Sequence, residues 1–256
     1  MVALQALGYD AYLADVEAGS RRAALAPHAV VGAISRQLRR SFAERRMLAA
    51  FGCEPDVTGE AFGDSVVVAV TLPLAQAHRQ ASLLSLLARA AAYAQRLAAV
   101  APHPLAYLGA LATGRFEITA GPGSRRRFDG APAREAGRLF NRAVGALVFL
   151  APSALDTRLG TALPDGWDEL AQPVGLPVED GRATLETLAL DPCFGLPPAE
   201  RAPVHAGLLG ALAGEAAAET EAFLNRLDVV RTNRLRATAP AANVPGPRIP
   251  AGFLQA

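Results

Sequence analysis

Apolar and polar positions along this chain recur with periods that predict an alternation of strands and helices. Residues 2–7, VALQAL, form a short apolar run ended by Gly8, which predicts a buried strand. Residues 28–51, HAVVGAISRQLRRSFAERRMLAAF, carry apolar side chains at helical spacing with Arg and Glu on the other face, and Gly52 stops the helix. In VTGEAFGDSVVVAVTLP a tight Gly-Asp turn separates two β-prone runs, and VVVAV suits a strand covered on both faces. Residues 75–100 predict a long Ala/Leu-rich helix closed by APHP, with the Leu83, Leu84, Leu86 and Leu87 stripe in the core.

LAYLGALATGRFEI then reads as a strand pair or a bent strand, GPGSRRRFDG as a loop and PAREAGRLFNRA as a short helix. ALVFLAP is another strand, with a helix beginning at Pro152-Ser153. The order β-α-β-β-α-β, followed by α-β, predicts an α+β fold of the ferredoxin-like kind, an antiparallel sheet backed by helices. After residue 162 the character changes. PVGLPVEDGRATLETLAL predicts a hairpin with an Asp-Gly turn, and residues 202–235 one long amphipathic helix. The tail, APAANVPGPRIPAGFLQA, is Pro/Gly/Ala-rich. The expected organisation is an α/β domain over 1–162, a hairpin-plus-helix extension packed on it over 163–238, and a flexible tail over 239–256.

Composition narrows the function. The 256 residues hold 25 basic and 24 acidic side chains, a net charge of +1, which offers no electrostatic reason to expect nucleic acid as partner. Every basic residue is arginine, so a Schiff-base lysine or a P-loop lysine is excluded and phosphate must be met by arginine or backbone amides. Two distant cysteines, Cys53 and Cys193, suggest reducing, cytoplasmic surroundings rather than a disulfide framework. The first residues lack a basic n-region, which argues against a secretory signal. The longest uncharged run, Leu97 to Gly114, is broken by Pro102 and Pro104 and is not expected to span a membrane. His28, His78, His103 and His205 show no metal-ligand spacing and no convincing Ser-His-Asp order.

Three ordered segments carry a resemblance. Gln5-Ala6-Leu7-Gly8-Tyr9, Glu60-Ala61-Phe62-Gly63-Asp64-Ser65, and Gly109 to Gly114 together with Gly130 to Leu139 follow one another at matching spacing. They resemble the "DILGF" strand, the "E/K-T-I-G-D-S" hairpin, and the "RGAIxxG" strand with its "GxxVNxAxRL" helix of class III adenylate and guanylate cyclase domains. The likeness covers about the first two-thirds of the chain. It implies a domain whose active site forms between two copies or relatives, as a homodimer or heterodimer, with a nucleoside triphosphate as ligand.

In that family two carboxylates hold two Mg²⁺ or Mn²⁺ ions that stabilise the attacking and leaving oxygens. An Asn and an Arg four residues apart on one helix face steady the ribose and the phosphate. The resemblance places the second metal-binding aspartate at Asp64 and puts Gln5, which brings no charge, at the first. It places the arginine at Arg138, with Arg134 where asparagine is usual. Base selection falls on Glu60, whose carboxylate suits the guanine N1–H and N2–H₂ edge, and on Arg127, which departs from the usual pattern.

With two of these positions altered, the resemblance implies a degenerate, catalytically impaired cyclase-homology domain acting in bacterial signalling through nucleotide binding or dimerisation. Two alternatives stand beside it. One is an active cyclase for a guanine or pyrimidine nucleotide, with Asp10 or Asp15 standing in for the missing carboxylate. The other is a protein-interaction module using the helix around 204–236. Read without the family, Asp64 is a turn residue, Glu60 an exposed strand residue and Asp10 a helix N-cap. On the same reading Arg134 and Arg138 are solvated beside Glu135, and Arg125 to Arg127 form a mobile charged loop.

Overall fold

Alternation along the first strand sets the architecture. In the computed structural model, which describes residues 1–17, 26–43, 55–72, 80–121, 125–155, 170–177 and 184–238, β1 (Val2–Leu7) is flanked on both sides and buried on both faces. Val2, Leu4 and Ala6 point into one hydrophobic cluster, while Met1 and Ala3 belong to another. β1 pairs antiparallel with β3 (Ser65–Thr71) and with β4 (Ala106–Leu111), and β2 (Asp56–Phe62) pairs antiparallel with β3. The strand order β2-β3-β1-β4 is the ferredoxin-like arrangement expected from the sequence. The tight turn joining β2 to β3 falls at Gly63-Asp64, where Gly63 adopts a φ of 59° that a β-carbon would disfavour.

The sheet continues past this unit. β7 (Val148–Leu150) runs parallel to β4, β9 (Thr184–Leu190) pairs with β7 through Phe149 and Ala189, and β8 (Ala171–Pro177) closes the edge of a seven-stranded sheet. The C-terminal hairpin is therefore part of the same sheet. Thr187 Oγ1 adds a bond to the Leu150 carbonyl across that junction. The expected Asp-Gly turn, the boundary near 162 and the tail after 238 lie outside the described residues.

Helices cover both faces. Following α1 (Tyr9–Glu17), α2 (Ala26–Ala43) lays Val30, Ile34, Leu38 and Phe42 on the first face. There it meets α3 (Gln80–Ala99), which contributes Leu83, Leu84 and Leu87. The second face is covered by α4 (Ala131–Phe140), α6 (Pro198–Gly210) and α7 (Gly214–Thr238), while α5 (Pro152–Leu155) is a single turn after β7. Ala136, Leu139, Val204, Leu208, Phe223, Leu224 and Leu227 are buried there. Two buried polar side chains tie the layers. Gln95 Nε2 donates to the carbonyls of Tyr107 at 3.2 Å and Ala146 at 2.5 Å, and Thr220 Oγ1 accepts from Ala146 N at 2.8 Å.

A third tie holds α7 to the end of β9. Asp191, 2% exposed, accepts from the guanidinium of Arg231 and, at 2.8 Å, from the Cys193 amide. Arg231 Nη1 also reaches Asp228 Oδ1 at 2.7 Å. Burial, reinforced by Asp191, pushes the Cys193 thiol up to about 12, so it is an inert core group rather than a nucleophile.

Three expectations are corrected. Residues 126–130 are not loop but strand β6 (Arg126–Gly130), paired with β5 (Phe116–Ala120) in a separate two-stranded ribbon. The ribbon is exposed over most of its length, although Phe116 and Phe128 pack against the second-face cluster, and the Arg-Arg-Phe-Asp-Gly run of β6 carries no apolar alternation to mark it as a strand. The long C-terminal helix is two helices, broken at 211–213, because Gly214 at φ 57° leaves the right-handed region. Asp10 lies inside the first turn of α1 rather than before it, and Gly8 precedes the helix. The stop at Gly52 falls outside the described residues.

Candidate functional site

The second face of the sheet carries Gln5 and Glu60. Register places Gln5 opposite Ser65, and Ala3 opposite Val67, on β1 and β3. Glu60 lies opposite Val67, and Phe62 opposite Ser65, on β2. Because neighbouring β2 positions Val57 and Ala61 belong to the first-face cluster, Glu60 and Phe62 share the face of Ala3 and Gln5. Glu60 is half-buried, not the exposed strand residue expected without the family.

At the end of these strands the chain brings Gln5 and Asp64 into contact. Gln5 Nε2 donates to Asp64 Oδ2 at 3.3 Å, and Ser65 Oγ donates to Asp64 Oδ1 at 3.0 Å. The turn is fixed from below, where Ala6 N donates to the Asp64 carbonyl at 2.9 Å. Both oxygens of the carboxylate therefore accept from neutral donors. The amide orientation follows from charge, since the Gln5 oxygen would be repelled by the carboxylate it now faces through nitrogen. Ser65 sits in the quoted hairpin motif, yet its bond to the neighbouring carboxylate depends on a rotamer that spacing does not reveal.

Tyr9, at the start of α1, is drawn into the same corner. Partial burial, with the Asp64 charge as a smaller cause, raises its phenol above the ordinary value. Its ring stacks on Tyr12 at 5.9 Å between centroids. Sequence reading missed the influence of Asp64 on this residue, because it depends on the turn at Gly8.

The arginines are arranged differently. Arg127 lies on exposed β6, and its Nε donates to Asp129 Oδ1 at 3.0 Å. Arg134 and Arg138 lie four residues apart on α4, both exposed. Glu135 is not their partner, because its Oε2 accepts from Ser153 N at 3.2 Å and so caps α5. α4 begins where it does because Gly130, at φ 145°, ends β6 against β5; a β-carbon there would lie 2.6 Å from the Arg115 carbonyl oxygen.

The donor set does not fit a two-ion clamp. One carboxylate, already accepting two hydrogen bonds, faces a neutral amide, and among the described residues no group of three His, Cys, Asp or Glu side chains converges. Also among the described residues, no helix is long and apolar enough to cross a membrane.

No protein-family model and no curated protein matches this chain. Among solved structures it is similar to the catalytic core of a rhodopsin-guanylyl cyclase with converted specificity, at 11% identity and a TM-score of 0.41, over 74% of this chain and 92% of that one. It is also similar to the guanylyl cyclase domain of the RhoGC fusion protein from the aquatic fungus Blastocladiella emersonii, at 10% identity and a TM-score of 0.41, over 74% and 92%. A third is the guanylate cyclase domain of RhGC from Catenaria anguillulae, at 11% identity and a TM-score of 0.39, over 74% and 93%.

Proposed function

We propose that this chain is a class III cyclase-homology domain that has lost turnover and acts as a regulatory dimerisation domain in bacterial, cytoplasmic signalling. The reading rests on the ordered motifs and on one observation above all. Gln5 and Asp64 meet at the end of β1 and the β2–β3 turn, where the family keeps two aspartates, and they meet as a neutral donor and a carboxylate. Removing one charge-stabilising group from a preorganised site costs about 3–4 kcal/mol, or ~10²–10³ in rate. If a partner domain completed the site, Asp64 is the one residue of the Gln5–Asp64 pair that could hold Mg²⁺ or Mn²⁺, which would supply charge stabilisation.

The remaining positions support a role toward a second domain. Arg134 and Arg138 are exposed, so a nucleoside triphosphate they touch would be one bound mainly by a homodimeric or heterodimeric partner. Glu60 offers a carboxylate to a guanine edge, while Arg127 is engaged by Asp129 and reads no base until that pair opens.

The test is incubation of the purified protein with each nucleoside triphosphate and Mg²⁺ or Mn²⁺, with light scattering to report association. The expected result is a dimer without cyclic product. Robust cyclic nucleotide formation that disappears in Asp64→Ala would overturn the proposal and establish an active cyclase. A monomer at all accessible concentrations would remove the dimerisation role.

A further inference from the structure

A cavity of about 530 Å³ opens on the second face of the sheet, beneath α4 and beside β6. Its volume falls within the ~300–1,000 Å³ usual for small-molecule sites. The floor is the cross-strand pair Ala3 and Val67, and Phe62, Phe128 and Phe140 form the walls. α4 contributes its small side, Ala133, Ala136 and Gly137, at helical spacing. A β-carbon placed on Gly137 meets nothing within 4 Å, so the space is open where an alanine would favour the helix.

The charged side chains of the lining are three arginines. Arg125 and Arg126 line it, exposed, and meet no carboxylate among the described residues, whereas Arg127 is paired with Asp129. No lining side chain is a carboxylate, amide or hydroxyl. The wall therefore presents no side-chain acceptor for the edge of a nucleobase, and its apolar body calls for an apolar ligand.

We propose that this cavity binds a free amphipathic anion, a medium-chain carboxylate, with its chain against Phe62, Phe128 and Phe140 and its head group on Arg125 and Arg126. Guanidinium groups suit a carboxylate because they present paired N–H donors to both of its oxygens. Gln5 and Asp64 do not line this cavity, and Arg127 is the residue it shares with the proposed nucleotide site.

Calorimetric titration of the full chain with decanoate, below its micelle concentration, tests it. One-to-one saturable binding is expected, with decanol about tenfold or more weaker for want of the charged head. The double variant Arg125→Ala/Arg126→Ala, changed at exposed positions, should weaken decanoate by a similar factor. Gly137→Leu should abolish binding by filling the chamber. Gly137→Ala should raise the melting midpoint by about a degree or more while keeping weakened binding. Absence of saturable decanoate binding, equal affinity for decanol, or wild-type affinity in both the Gly137→Leu and the double-arginine variants would overturn the proposal. Displacement of decanoate by GTP at comparable concentration would overturn it in favour of a nucleotide pocket.

Discussion

Placing a negative charge at residue 5 tests how close Gln5 and Asp64 stand and what that closeness means. Gln5→Asp replaces an amide that donates to Asp64 Oδ2 at 3.3 Å with a second carboxylate. Without a cation the two charges repel at ~4 Å, worth ~1 kcal/mol in water and ~4 kcal/mol at an effective dielectric constant of 20. Both side chains are half-exposed, which favours the lower end, and the lost hydrogen bond adds about 1 kcal/mol. A total near 2 kcal/mol lowers the melting midpoint by about 4–8 °C for a chain of this size.

A divalent ion reverses the sign, because two carboxylates now share it. Mn²⁺ at 100 times its dissociation constant returns ~2.7 kcal/mol to the folded state. Differential scanning fluorimetry of both proteins in chelator and in Mn²⁺ is the assay. The variant is expected to melt lower in chelator and to recover with Mn²⁺, while the parent stays where it is. The repulsion raises the pKa of one carboxyl in the folded state, so the penalty is present above that raised value and fades on acidification. Equal Mn²⁺ stabilisation of both proteins would mean that Asp64 alone suffices for the ion. A variant indifferent to Mn²⁺ would mean that residues 5 and 64 do not share a site.

Two further outcomes follow from the C-terminal clamp. Arg231→Ala leaves the buried Asp191 carboxylate unpaired and should cost about 3–5 kcal/mol in urea unfolding, with part of the loss recovered by adding Asp191→Asn. His205 is pushed below its ordinary pKa by burial, against the opposing pull of Asp228, whose Oδ2 lies 3.9 Å from Nδ1. The fold therefore favours the neutral ring, and stability should fall as pH drops from 6.5 toward the lowered folded value, because the unfolded chain takes up the proton first. Stability measured across that window should lose this slope in His205→Gln, and an unchanged slope would refute the assignment.

Local pattern was enough for the central unit of the fold. β1, the β2–β3 hairpin and α3 declare themselves by period and by Gly63-Asp64, because strands covered on both faces leave continuous apolar runs and helices leave stripes. β6 did not, since a ribbon outside the core carries Arg126, Arg127 and Asp129 at positions that core burial would have made apolar. The break between α6 and α7 was written in Gly210 and Gly214, yet a glycine in an apolar stretch is equally compatible with an uninterrupted helix.

The site divides along the same line. The order of residues settles which groups exist: a carboxylate at Asp64, an amide at Gln5, arginines a helical turn apart at 134 and 138, and no lysine. Tertiary structure decided what they do to each other. Gln5 and Asp64 lie 59 residues apart in the chain and meet only because β1 pairs with β3 in one register, and a slip by one residue would turn Gln5 to the other face. The hydrogen bond from Ser65, the pairing of Arg127 with Asp129 and the chamber beside Gly137 depend likewise on rotamers and on the gap between α4 and the sheet. Such quantities are fixed by packing in three dimensions, which leaves no periodic trace along the chain.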